Sequence, residues 1–220
     1  AESVSRSLLN FGVPREKAFE KVRELFNIVG LDSSHTNRFP HEFSGGQCQR
    51  IVIARAMAPN PRFIFLDEPV SALDVSIQAQ ILNLLKKLQE RFKLTYLFVA
   101  NDLKVVKHVS HRIMIFYQGR ILELGKSEEV YDNPLHSYTK SFLESVLHMG
   151  GGDAWEHAAM RAERSGDLSR EESTEAAVAA RHGCIYYAGC TDRIPECKES
   201  IPQLLEVESG HYVACHIVGR

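Results

Sequence analysis

Two stretches of this chain gather residue types suited to handling an anion. In HEFSGGQ, residues 41–47, Ser44 stands where a helix would begin and is followed by Gly45 and Gly46. Without side chains there, the first backbone N–H groups and the positive end of the helix dipole can approach an anion closely. A serine cap with glycines in a turn is the ordinary reading of Ser-Gly-Gly alone. Further on, FIFLDE (63–68) is a continuous apolar run that ends in Asp67 and Glu68. Such a run reads as a strand buried on both faces of a parallel sheet, and its carboxyl end is where ligands of open α/β sheets collect. A solvated strand end would explain two adjacent acids, but not the apolar run that delivers them.

A third stretch, ILELGKSEEV (121–130), holds the Gly-Lys-Ser that closes a P-loop. The loop pattern G-x-x-x-x-G-K-[ST] needs glycine where this chain has Arg120, and Ile121, Leu122 and Leu124 suit a strand rather than a phosphate nest. The stretch therefore reads as the second strand of a hairpin turned at Gln118-Gly119, with Lys126 opening a surface helix. Near the C-terminus, Cys184, Cys190, Cys197 and Cys215 follow a C-x5-C-x6-C-x17-C spacing. Outside an oxidising compartment, four thiols point to metal before disulfides, yet no pair is as close as zinc sites usually require. Cluster, zinc, free thiols and disulfides all stay open on spacing alone.

The elements that position these residues follow from periodicity. Ala18, Val22, Phe26 and Val29 share one face of a helix running from Pro14 to a left-handed stop at Gly30. A second helix starts at Ser44 and ends before Pro59 and Pro61. A long helix from Val75 to Phe92 leads to a second buried strand in LTYLFVAN, then a short helix at 103–109, the hairpin, and two helices of which the latter runs over 134–148. Strand–helix–strand order makes an α/β unit with a mainly parallel sheet. Residues 149–182 read as a polar Ala/Glu/Arg-rich linker and 183–220 as a cysteine-rich segment too small for a large core. With 44% hydrophobic and 25% charged residues and a net charge of −2, the composition is that of a soluble globular protein without a nucleic-acid footprint or polybasic anchor. The apolar runs are too short to span a bilayer, which suggests a cytosolic chain.

Taken together, HEFSGGQCQRIVIARAMA and FIFLDEPVSALD resemble the ATP-binding subunits of ABC transporters: Ser44-Gly45-Gly46-Gln47 matches the signature motif, Phe63 to Glu68 the Walker B strand and glutamate, and Ser71 to Asp74 the D-loop. VSIQAQILNLLKKLQ, NPLHSYTKSFLESV and the cysteine tail look like the oligopeptide, dipeptide and nickel importer branch. The resemblance implies a partial ABC ATPase domain over 1–148, with the helical signature subdomain plus a mainly parallel sheet. It implies ATP and Mg²⁺ as cofactors. Asp67 would hold the metal shell, Glu68 would polarise the attacking water, and Ser44 to Gln47 would grip the γ-phosphate of ATP on an opposite subunit. Asp74 would couple the two sites across the interface while also capping the helix that begins at Val75.

In the tail, the resemblance implies a [4Fe-4S] cluster on Cys184, Cys190, Cys197 and Cys215. His211 and His216 beside the last cysteine read as surface or packing residues. The partners implied are a second ATPase subunit, membrane-spanning permease subunits and, indirectly, an extracellular solute-binding protein, with this chain peripheral on the cytoplasmic face. Departures from the family pattern qualify the match. Asn101 stands where the family has a switch histidine; its amide can donate to a phosphate oxygen but carries no proton or charge, and this favours a non-identical partner. Cys48 replaces the usual arginine. The family's P-loop, adenine-stacking aromatic and glutamine loop fall before residue 1, so the chain is expected to complete a partner's site rather than build its own. The rival reading is a truncated or inactive accessory subunit with a redox-sensing tail.

Overall fold

Periodicity and turn chemistry account for most of the elements. The structure, a computed structural model, describes residues 1–148 and 182–218. The chain divides into two compact units, 1–100 and 101–220.

The first unit is mostly helical. Helices α1 (Glu2–Asn10) and α2 (Arg15–Ile28) pack on each other and on α3 (Gly45–Met57), which also touches α4 (Val75–Phe92). The four residues expected on the inner face of α2, Ala18, Val22, Phe26 and Val29, are all buried. Gly30 then takes a left-handed φ of +75°, and α2 ends in a Schellman arrangement: Gly30 N–H donates to Asn27 O and Leu31 N–H to Phe26 O. Strand β1 (Phe63–Asp67) pairs in parallel with β2 (Thr95–Val99), Asp67 lying opposite Val99. Helix α4 buries Ile81, Leu82, Leu84, Leu85 and Leu88, and its Leu85 carbonyl accepts from the Tyr96 hydroxyl of β2.

The expectation of a strand buried on both faces is met on one face within the described residues. Ile64 and Leu66 are buried, but Phe63 and Phe65 are each 55% exposed, and Leu97 and Val99 of β2 are exposed on the same side. Side chains alternate across a strand, and among the described residues of this unit α4 lies against only the Ile64 and Tyr96 face.

In the second unit α5 (Leu103–Val109) precedes the hairpin β3 (Arg112–Tyr117) and β4 (Arg120–Lys126), followed by α6 (Ser127–Asp132) and α7 (Ser137–His148). Gln118 and Gly119 at the turn have φ of 45° and 80°, the two positive values that a tight I′ hairpin turn needs. The C-terminal segment holds a short helix α8 (Glu196–Glu199) and strands β5 (Leu205–Glu208) and β6 (His211–Val213). These strands extend the hairpin into an antiparallel sheet of order β3-β4-β6-β5, so among the described residues parallel pairing is confined to β1 and β2. The expected linker, 149–182, lies outside the described residues except for its last position. No described helix is long and apolar enough to cross a membrane.

Candidate functional site

Ser44 caps α3 in a reciprocal box: its Oγ accepts from Gln47 N–H at 3.3 Å, and Gln47 Oε1 accepts from Ser44 N–H at 3.0 Å. The hydroxyl hydrogen of Ser44 is not consumed by that cap, so it stays able to donate outward. Ser44 and Gly45 are exposed, and the helix behind them runs 13 residues, long enough to carry a developed dipole.

The two glycines are not equivalent. A Cβ on Gly45 would lie at ordinary contact distance, 3.5 Å, from Leu73 Cδ2, whereas one on Gly46 would lie 2.6 Å from Ile77 Cγ2. Gly46 is thus the point where α3 rests against α4, and Gly45 is open toward solvent. The signature residues and the D-loop are brought together by this contact. Asp74 caps α4, its Oδ1 accepting from Ser76 Oγ at 2.7 Å and Ile77 N–H at 3.0 Å. The Ser76 hydroxyl, then the Ile77 amide, hold the Asp74 carboxyl below the usual carboxylate range.

Asp67 ends β1 and is exposed, as is Glu68. Glu68 has φ of +44°, in the left-handed region that non-glycine residues rarely adopt. Its N–H donates to Val99 O at 2.9 Å, and its carbonyl accepts from Ser71 Oγ at 3.1 Å, so the neighbouring strand and the D-loop together hold the turn. Backbone strain of this kind collects at functional positions. Two exposed carboxylates at one strand end suit Mg²⁺, which keeps most of its waters and takes further oxygens from phosphates. Asn101 belongs to the second unit, next to Asp102, whose Oδ1 caps α5 by accepting from Lys104 N–H at 2.8 Å.

The second unit contains residues that the motifs did not single out. Glu123 of β4 is 0% exposed, and its carboxylate accepts from Leu135 N–H at 2.8 Å, His136 N–H at 3.0 Å and His211 Nε2 at 2.8 Å. His211, expected at the surface or in packing, is 1% exposed and makes this hydrogen bond from β6. Gly125 makes room for the imidazole, since a Cβ there would lie 3.0 Å from His211 Cδ2. The Gly-Lys-Ser at 125–127 is therefore a packing site at the end of β4, as its spacing indicates. Lys126 pairs with Glu129 at 2.8 Å. Tyr186 of the tail packs edge-on against Tyr117 of the hairpin and Tyr138 of α7, with centroids 5.5 and 5.3 Å apart.

His136 is 2% exposed and its Nδ1 accepts from Tyr138 N–H. Burial pushes its pKa from 6.5 down to about 4. The unfolded chain binds a proton below pH 6.5 that the folded chain refuses until about pH 4, so stability present above 6.5 is lost as pH falls through that window. The loss should reach about 3 kcal/mol, and substitution of His136 by Gln should flatten this part of a stability-versus-pH curve measured by denaturant unfolding.

Nothing among the described residues supports the cluster expected in the cysteine tail. Cys184 and Cys197 are buried and joined through the backbone, Cys184 N–H donating to Cys197 O at 2.7 Å, while Cys190 Sγ contacts Ser137 Oγ at 3.4 Å. Burial first, then the neighbouring thiols of Cys197, Cys215 and Cys190, push the Cys184 thiol up to about 11. Among the described residues no three His, Cys, Asp or Glu side chains are grouped to hold a metal ion. The four thiols share a neighbourhood. What holds the tail is the β4–β6 pairing, the Glu123–His211 pair and the aromatic contacts.

Comparison with known proteins agrees with these motifs. The family model described as ABC transporter matches residues 2–71, and that described as Oligopeptide/dipeptide transporter, C-terminal region, matches 122–197. The oligopeptide transport ATP-binding protein AppF of Bacillus subtilis is 47% identical over 200 residues, covering 90% of this chain and 58% of that one. The dipeptide transport ATP-binding protein DppF of Lactococcus lactis is 57% identical over 126 residues, covering 57% and 40%. Among solved structures, an ATP-binding cassette of an ABC transporter in its ADP conformation aligns with a TM-score of 0.51 at 25% identity, covering 58% of this chain and 52% of that chain. The chain thus spans less than two thirds of the length of these relatives. With the signature end of α3, the acid pair of β1 and the D-loop cap of α4 in place beside these matches, the chain is similar over these stretches to the ATP-binding proteins of ABC transporters, and among them to those of oligopeptide and dipeptide transport.

Proposed function

We propose that the chain forms part of the ATP-hydrolysing subunit of an importer for oligopeptides or dipeptides, with catalysis at an interface between two cassettes. The observation that carries this reading is the amino end of α3: capped by its own serine, stripped of side chains at Gly45, exposed, and seated on the D-loop helix through Gly46. Such an end binds the terminal phosphate of a nucleotide presented from another subunit, because its N–H groups and dipole favour negative charge.

On this reading Asp67 holds the Mg²⁺ shell, and Glu68 orients the attacking water for in-line transfer. Asp74 faces the partner, and Asn101 donates its amide to a phosphate oxygen. Mg²⁺ supplies charge neutralisation at the β- and γ-phosphates when bound. Every other contribution is positional: α3 orients the terminal phosphoryl group, and the turn at Glu68 fixes where its carboxylate can reach. Because an uncharged Asn101 supports the transition state less than an imidazolium would, the partner cassette is non-identical and carries the more active site. The subunit docks on permease subunits at the cytoplasmic face, and a solute-binding protein delivers the peptide.

The test is nucleotide-dependent association. The full-length subunit and a second cassette of the same importer should form a complex by light scattering with MgATP that dissolves once the nucleotide is hydrolysed. A complex indifferent to MgATP would overturn the proposal.

A further inference from the structure

One charged side chain in the signature helix has no place in the mechanism above. Arg50 lies one turn beyond Gly46 on α3, so at 3.6 residues per turn the two share a face. Gly46 rests on Ile77 of α4, and the Arg50 guanidinium reaches Gln80 of the same helix, Nη2 donating to Gln80 Oε1 at 3.3 Å. Ile77 and Gln80 are themselves one turn apart, which makes the contact a ladder of two rungs. The other arm of the fork, Nη1, donates to Val29 O at 2.6 Å.

That carbonyl is an unsatisfied one at the end of α2. The Schellman bonds serve Asn27 O and Phe26 O, and Val29 O lies beyond their reach. A cation at a helix carboxyl end is also favoured by the dipole. Gly30 keeps the space clear, since a Cβ there would sit 2.9 Å from Nη1. Its glycine identity therefore serves the arginine as well as the left-handed turn.

We infer that Arg50 is a positioning residue: with Gly46 as pivot, its two-armed contact to Val29 O and Gln80 Oε1 fixes the direction of α3, and so the aim of the Ser44 amino end. Three points define an orientation. Removal of Arg50 leaves α3 its packing on α1 and α2 and the Gly46 contact with Ile77, but takes away the polar fork that fixes its amino-terminal half against α2 and α4. Lysine cannot replace it fully, because one ammonium lacks the planar fork that reaches two acceptors in fixed geometry. The consequence for hydrolysis rests on the function proposed above; the brace itself rests on geometry alone.

Hydrogen–deuterium exchange on the full-length subunit separates the two. Arg50→Ala should speed exchange in the peptide spanning 44–53 and at the end of α2 by about tenfold, while peptides of the β3–β4 hairpin stay unchanged. Gln80→Ala should loosen 44–53 alone, and Arg50→Lys should restore the end of α2 but not 44–53. In the assembled importer, Arg50→Ala should lower the ATPase kcat by about tenfold with little change in KM, as expected when transition-state alignment is lost. Parental exchange in both Arg50→Ala and Gln80→Ala would overturn the brace. If Arg50→Ala loosens the hairpin as well, Gln80→Ala decides: faster exchange confined to 44–53 supports the inference, and a parental pattern removes it. Loss of the exchange effect condemns Arg50, whereas an ATPase insensitive to Ser44 substitution condemns only the functional reading.

Discussion

Ser44→Arg is expected to reduce ATP hydrolysis by the assembled importer by about 100- to 1,000-fold, the usual cost of losing one oriented donor to a charged transition state. Three changes act together. The hydroxyl that donates outward is lost, the cap that accepts from Gln47 N–H is lost, and a long side chain fills the space in front of Gly45. Loss of the cap alone costs about 1 kcal/mol of helix stability, too little to unfold the unit. The variant should therefore keep its thermal transition within a few degrees of the parent while losing turnover. Ser44→Asp offers a control that restores the cap acceptor but places a negative charge against the phosphate; it should be as inactive as the arginine variant. Parental turnover in Ser44→Arg would remove the proposed role of the α3 amino end.

Glu123→Ala carries the largest expected effect on stability. The carboxylate is the common acceptor for two backbone N–H groups just before α7, the half-buried Leu135 and the buried His136, and for the buried His211 on β6. Alanine leaves these donors unpaired, a loss of about 3–5 kcal/mol by analogy with breaking other buried pairs from one side. Because β6 touches β4 over only a short ladder, the damage should concentrate on the C-terminal segment. Limited proteolysis should cut between 200 and 218 at conditions where the parent resists, and the hairpin should survive longer. Glu123→Gln keeps an acceptor oxygen and should fall between the two. Removing both partners, as Glu123→Leu with His211→Phe, should recover part of the loss, since no charge is then left buried. Unchanged proteolysis in Glu123→Ala would show that the β4–β6 ladder and the aromatic packing of Tyr186 secure the tail without the carboxylate.

These two residues also mark the boundary of what was legible in the sequence. Ser44 was readable because its meaning is local: a capping residue, two glycines and an apolar helix pattern lie within a few positions of one another. The same holds for α2, α4 and the Gln118-Gly119 turn, whose patterns repeat at short range. Glu123 and His211 stand 88 positions apart, and neither carries a local pattern announcing the other. A glutamate in an alternating strand reads as a solvent-facing residue until its partner is known. The one available signal was Gly125, whose missing side chain makes room for the imidazole, but glycine in a strand has several meanings. The apolar run at 63–67 is a different case. It predicts burial on both sides, and the described residues of its unit cover one; composition reports what a strand is suited to, not what lies against it. The cysteine spacing pointed to a shared neighbourhood, which the thiols occupy, but by itself it left cluster, zinc, free thiols and disulfides open.

The backbone at Glu68 has a further consequence for anyone wishing to make this protein sturdier. Its left-handed angle is one that glycine adopts freely and glutamate resists by about 1 kcal/mol. Screens that reward heat resistance alone will therefore be drawn toward replacing the residue whose carboxylate is proposed to orient the attacking water. Ruggedness and turnover compete at a single peptide unit, and improvements in one are best sought far from it.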